Sequence, residues 1–94
     1  MTNPIINEYG TQYWTLSNKL HRTDGPAVIY KNGDKEWFVN DKLHRIDGPA
    51  VVFLETGNAW FISGELCATP KEYQRAANLT DEDMSFILLK YKFE

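Results

Sequence analysis

The chain is short of most features that signal chemistry. A single cysteine, Cys67, excludes an internal disulfide and fits a reducing compartment. Basic residues do not outnumber acidic ones. The formal net charge is -3, with both signs scattered along the chain, so no basic face is evident and non-specific nucleic-acid binding is disfavoured. The acidity is also too mild for a DNA mimic. No apolar run approaches a membrane-spanning length, and no basic-then-apolar start suggests an export signal, so the expectation is a soluble intracellular protein without membrane contact. Phosphate-loop, nucleophile-elbow and paired-carboxylate signatures are all missing, which leaves no expected catalytic residue, metal or cofactor. Aromatic residues, by contrast, are plentiful. At 14% of 94 residues they can pack the core of one small domain spanning 1–94.

What the chain does have is a period. Trp14, Trp37 and Trp60 are spaced 23 residues apart, and Leu20-His21-Arg22-Thr23-Asp24-Gly25-Pro26-Ala27-Val28 returns as Leu43-His44-Arg45-Ile46-Asp47-Gly48-Pro49-Ala50-Val51, with eight of nine positions identical. A fixed period marks a repeat array, in which each unit buries its apolar face against its neighbours. A residue present in every copy then reads first as structural punctuation.

Within each copy, Gly25–Tyr30 and Gly48–Phe53 are strand-like, Lys31-Asn32-Gly33-Asp34 and Glu55-Thr56-Gly57-Asn58 are turns, and Glu36–Val39 and Ala59–Ile62 are strand-like again. Asn40-Asp41-Lys42 and Ser63-Gly64-Glu65 are second turns. Each repeat therefore reads as one hairpin. Pro4-Ile5-Ile6-Asn7 with Gly10 and Trp14 is a partial copy at the start, and Trp60–Leu66 opens a third copy that never completes. Where Arg45 and Asp47 would recur, the chain has Ala68 and Pro70.

From there the pattern turns helical. Thr69-Pro70-Lys71-Glu72 is a capping box with proline at the first helical position, and Thr80-Asp81-Glu82-Asp83 caps a second helix with acidic residues that suit its dipole. Met84, Ile87, Leu88 and Tyr91 form one apolar stripe, and Phe86, Leu89 and Phe93 form a second. The predicted fold is α+β: an antiparallel β-meander of about five to six strands over 1–66, then a cap of two short helices over 67–94.

These motifs resemble the Leu-His-Arg-x-Asp-Gly-Pro-Ala repeat proteins of bacteriophages and large DNA viruses, which are similar to MORN-type repeats in their 23-residue hairpin period. The resemblance covers roughly residues 4 to 72. It includes Trp37-Phe38 and Trp60-Phe61, and a turn, Thr-Pro cap and short helix at Gly64 to Ala77. It implies a viral, phage origin, no established catalytic residues, and a binding or scaffolding role. This chain has few units and a helical end, so a membrane role is not carried over.

His21, His44 and Cys67 occupy equivalent positions and tempt a metal reading. Successive repeats advance by about 10 Å, however, too far for ligands of one ion. Each imidazole is expected to bond a turn carbonyl or the neighbouring aspartate. Arg22 and Arg45 are expected to clamp Asp24 and Asp47, with Gly25 and Gly48 supplying positive φ; they could also form a basic row for an anionic ligand. Alternation puts Trp37 with Val39 and Trp60 with Ile62 on one face, as a stacked tryptophan core.

Three functions follow. The first is a protein–protein binding module, such as a phage inhibitor of a host enzyme or of a defence system (a CRISPR–Cas complex or another defence nuclease) in the host cytoplasm. Its contacts would come from Tyr30 and Phe53 on the sheet and Phe86 and Tyr91 on the last helix. The second is a nucleotide-signal sponge using Arg22, Arg45 and aromatic stacking. The third is a metal-dependent phosphohydrolase built on His21, Asp24, His44 and Asp47. An open sheet edge and an apolar last helix also favour a homodimer.

Overall fold

Three of the turns are two-residue loops in which both residues take positive φ: Ser17 and Asn18 (52° and 64°), Asn40 and Asp41 (50° and 67°), and Ser63 and Gly64 (50° and 84°). Such turns match the right-handed twist of flanking strands and close tight hairpins. In the computed structural model, which describes residues 3–93, they join β3 (Thr15–Leu16) to β4 (Lys19–Leu20), β7 (Phe38–Val39) to β8 (Lys42–Leu43), and β11 (Phe61–Ile62) to β12 (Glu65–Leu66).

The remaining strands are β1 (Ile5–Ile6), β2 (Gln12–Tyr13), β5 (Val28–Ile29), β6 (Lys35–Glu36), β9 (Val51–Phe53) and β10 (Gly57–Ala59). They form one antiparallel sheet in the order β1-β2-β5-β6-β9-β10. The meander is thus present, and two helices follow it, α1 (Pro70–Ala76) and α2 (Asp81–Lys90). The array is elongated, 41 × 29 × 21 Å. Among the described residues no helix is long and apolar enough to cross a membrane.

One element departs from the expected pattern. Each period holds two hairpins, not one, because the strand through each tryptophan is broken at that residue. The Trp37 N–H donates to Ala50 O at 2.7 Å, toward the main sheet, while its carbonyl accepts from His44 N at 3.0 Å, toward the small hairpin. Trp14 repeats this with Ala27 O and His21 N. The tryptophan is the hinge at which the chain leaves one sheet for the other.

Successive small hairpins are tied across the period. Arg22 N donates to Phe38 O, Asp41 N to Leu20 O, Arg45 N to Phe61 O and Gly64 N to Leu43 O. The histidines add a side-chain tie. Nδ1 of His21 accepts from Asn40 N at 3.2 Å, and Nδ1 of His44 accepts from Ser63 N at 2.9 Å. This corrects the expected carbonyl or aspartate partner: the imidazole is the acceptor, and its donor is the first residue of the next small turn. A residue at positive φ leaves its N–H pointing out of the turn, and the histidine satisfies it.

The helices cap the last unit. Thr69 Oγ1 accepts from Glu72 N at 3.2 Å, with Pro70 at the first helical position. The Thr80–Asp83 box is reciprocal, with bonds of 3.1 and 3.2 Å. Between them the helices close a core of Trp60, Cys67, Tyr73, Met84 and Ile87. Of the two stripes read along α2, Met84 and Ile87 point in, whereas Leu88 is 42% exposed; Phe86 and Leu89 face out, and Phe93 turns back onto the core. Tyr91 ends the helix in an extended conformation, which gives the chain the reversal that Phe93 needs.

Candidate functional site

The repeated Leu-His-Arg-x-Asp-Gly-Pro-Ala segment is where polar chemistry concentrates. Arg22 Nε donates to Asp24 Oδ1 at 2.9 Å and its Nη1 to Pro26 O at 3.0 Å; Arg45 does the same to Asp47 Oδ1 at 2.8 Å and to Pro49 O at 3.0 Å. Each guanidinium then lies on its own tryptophan, 3.8 Å from the ring of Trp14 or Trp37. Arginine suits this place because a planar fork can bond in its own plane while stacking on a ring. The aspartates are 68% and 79% exposed, so the ion pairs add little by themselves, and the bonds to the proline carbonyls matter more. The hydrogen bond from Arg22 holds the Asp24 carboxyl below its ordinary range.

This stacking explains the glycine, and corrects its expected role. Gly25 and Gly48 are not among the positive-φ residues. They are glycine because the arginine crosses them: a Cβ at Gly25 would lie 2.9 Å from Arg22 Cζ, and one at Gly48 would lie 2.8 Å from Arg45 Cζ and 3.0 Å from the Tyr91 ring. The following alanines, Ala27 and Ala50, are fully buried at 0% exposure, which leaves no room for a larger residue. Gly48→Ala is expected to destabilise by about 1–3 kcal/mol, and more than Gly25→Ala, where the nearest obstruction is the arginine alone. Urea denaturation of both variants measures the difference, and equal midpoints would refute the ranking.

The tryptophans therefore do not stack on one another. Each is covered by a cation, except the last. At Trp60 the equivalent position is Ala68, and the cap takes over: Phe93 stacks on Trp60 at 4.4 Å with an interplanar angle of 15°, while Tyr73 and Tyr91 meet it edge-on at 4.8 and 6.4 Å. Phe93 fills the place that the guanidinium fills in the other copies. Tyr73 Oη also donates to a backbone carbonyl, with Arg45 O at 2.6 Å and Gly48 O at 3.1 Å, and so locks the last repeated segment to α1.

Burial raises the Tyr73 phenol to about 12, with the Gly48 backbone N–H that donates to its Oη opposing the shift. The unfolded chain ionises near the ordinary tyrosine value of 10, so Tyr73 contributes stability that is complete below that pH and lost as pH rises toward 12. Tyr30, also raised to about 12 by burial and its bond to Glu36, acts in the same direction. Urea midpoints from pH 8 to 11 should fall, and Tyr73→Phe should flatten that fall without abolishing it; an unchanged slope would contradict the assignment.

Tyr30, just past the end of β5, meets Phe53 of β9 edge to face at 6.3 Å, in a shallow groove with Tyr9 and Asp34. Phe86 is 64% exposed on the outer side of α2. Tyr91 is turned inward and half-buried, its ring 5.1 Å from the Arg45 guanidinium and its Oη accepting from Arg45 Nη2 at 3.0 Å. Arg22 and Arg45 each hold an aspartate and a proline carbonyl of their own segment. His21 and His44 are committed to turn N–H groups, and Asp24 and Asp47 to their arginines; among the described residues no group of three or more His, Cys, Asp or Glu side chains is placed to hold a metal ion. Cys67 is buried, which pushes its thiol pKa up, away from thiolate reactivity.

Two clefts flank the second repeated segment. One, of about 580 Å³, lies between the two copies and is lined by Arg22, Thr23, Trp37, Val39, His44 and Ile46 among others. The other, of about 380 Å³, lies between Ile46 and α2 and includes Leu79, Phe86 and Tyr91. Fold and site together define a short β-repeat array closed at one end by a helical cap. The chain matches no protein-family profile, no curated protein and no solved structure.

Proposed function

We propose that this protein is a non-catalytic protein-binding module, and more narrowly a small phage accessory protein that inhibits a host enzyme or a defence system, such as a CRISPR–Cas complex or another defence nuclease. The observation that carries the binding reading is the outer face of α2. Phe86 and Leu89 are 64% and 84% exposed on a helix with a satisfied cap, and Ile46, 54% exposed, stands across the adjoining cleft. Large apolar groups held on a rigid element lose little entropy on binding, and make good anchors for a partner. The phage origin and the defence target rest on the repeat resemblance. Each arginine commits Nε and Nη1 to its aspartate and proline carbonyl, so neither presents a bidentate fork to a phosphate, which weighs against the sponge reading.

The test is capture from bacterial host lysate with tagged protein, read by mass spectrometry, alongside the Phe86→Ala/Leu89→Ala variant. Both residues are exposed, so the variant should melt within a few degrees of the original. One or a few stoichiometric host partners, lost with the variant, are expected. A clean capture, self-association alone, or the same partners with both proteins would overturn the reading.

A further inference from the structure

The chain contains two consecutive copies of one slot, and one copy shows what fits there. In the later copy the slot lies between Arg45 and Trp60, beside the core cluster that includes Cys67 and against which Ile62 packs. Tyr91 fills it, with its ring over the Arg45 guanidinium at 5.1 Å, its edge against Trp60 at 6.4 Å, and its Oη accepting from Arg45 Nη2 at 3.0 Å. Moving Arg45, Trp60, Ile62 and Cys67 back by the repeat length of 23 gives Arg22, Trp37, Val39 and His44. Those four residues line the open cleft of about 580 Å³.

The equivalence extends to hydrogen bonding. Arg22 places Nε on Asp24 and Nη1 on Pro26 O, as Arg45 does on Asp47 and Pro49 O. Arg45 Nη2 has the Tyr91 hydroxyl, while Arg22 Nη2 has no partner among the described residues. The Arg22 side chain is accordingly 23% exposed against 10% for Arg45.

We infer that the cleft between the two repeated segments receives a tyrosine side chain of a partner polypeptide, which covers Arg22 and accepts from its Nη2 as Tyr91 does at Arg45. A phenol is specified over an aliphatic or a plain aromatic group because the ring satisfies the guanidinium face and the hydroxyl satisfies the remaining donor. The volume exceeds that of one ring, so the main chain on either side of the tyrosine is accommodated as well. Thr23, Gly25 and Ile46 form the rim on which that main chain would lie. The inference rests on the protein-binding reading and adds a second contact to the α2 face.

The test is a titration of the full chain, followed by ¹⁵N NMR, with the blocked peptide acetyl-Gly-Tyr-Gly-amide, its phenylalanine analogue and p-cresol. The tyrosine peptide is expected to shift the Trp37 indole N–H, the Gly25 amide and the Arg22 Nε–H together, with a dissociation constant on the order of 1 mM. The phenylalanine peptide should bind about threefold or more weakly, because it leaves the donor unpaired. p-Cresol should also bind more weakly than the tyrosine peptide. Thr23→Trp, at an exposed rim position, blocks the cleft and should abolish the shifts while the rest of the spectrum stays folded. Shifts elsewhere, no saturable shift, equal binding of the two peptides, p-cresol binding at least as tightly as the tyrosine peptide, or shifts that survive in Thr23→Trp would each overturn the inference. Failure here with lysate partners still lost on Phe86→Ala/Leu89→Ala would remove the slot and leave the module; peptide binding without any lysate partner would remove the α2 assignment and leave the slot.

Discussion

Replacing Trp60 by alanine should give the largest loss of stability of any single tryptophan substitution. The side chain is 1% exposed and sits under Phe93, Tyr73 and Tyr91, so it joins the last β-unit to both helices and to the chain end. Truncating a buried aromatic of this size costs about 3–5 kcal/mol. A 94-residue domain has a total stability of roughly 5–14 kcal/mol, and the loss here falls on the element that closes the array. Trp60 Nε1 is buried without a partner among the described residues, so the ring is held for its shape and area, not for its N–H. Trp60→Phe should therefore be far milder than Trp60→Ala. Trp14→Ala should also be milder, since Trp14 is 9% exposed and lies under an arginine at the opposite end. Urea midpoints for the three variants check this. Equal losses at Trp14 and Trp60 would mean that the cap contributes no special stability.

The second large effect is expected at Arg45. Lysine keeps the charge but has neither the plane to stack on Trp37 nor the fork to reach Asp47, Pro49 O and Tyr91 Oη at once. Pro49 is fully buried, so its carbonyl would be left without a donor. Arg45→Lys should cost about 2–3 kcal/mol, with the orphaned carbonyl the largest part. Arg22→Lys should cost about 1–2 kcal/mol because no Tyr91 equivalent is lost there. Chemical denaturation gives both values. A mere salt-bridge role would make the two substitutions equal and nearly neutral, since both aspartates are well exposed.

Much of this architecture is legible in the residues. The period, the glycine and asparagine turns, the two threonine caps and the change to helix at Pro70 all arise from local backbone chemistry, which a sequence displays directly. The break in each strand at tryptophan is not legible, because both sides of it are extended and no turn residue separates them. The histidine partners were missed for a different reason: the donors lie 19 residues ahead, in the next repeat's turn. The glycines of the repeated segment looked like turn residues because Asp-Gly is a turn signal, yet their requirement comes from an arginine that crosses the backbone. Tyr91 reads as an outward contact of the last helix because periodicity defines a stripe without saying which stripe is covered. One signal was available. The appearance of Ala68 where Arg22 and Arg45 have counterparts leaves Trp60 without its cation, and two aromatic residues near the end of the chain supply the replacement.

Arg22 and Arg45 are structural clamps and not a free basic row. The most direct measurement is hydrogen exchange at their Nε–H groups, followed by ¹⁵N NMR on the intact chain. Two resolved, slowly exchanging Nε–H signals are expected, with Arg45, bonded through Nη2 to Tyr91 as well, the more protected. Rapid exchange and averaged guanidinium signals at both residues would contradict that role, and would return Arg22 and Arg45 to the solvent as candidate ligands for an anion.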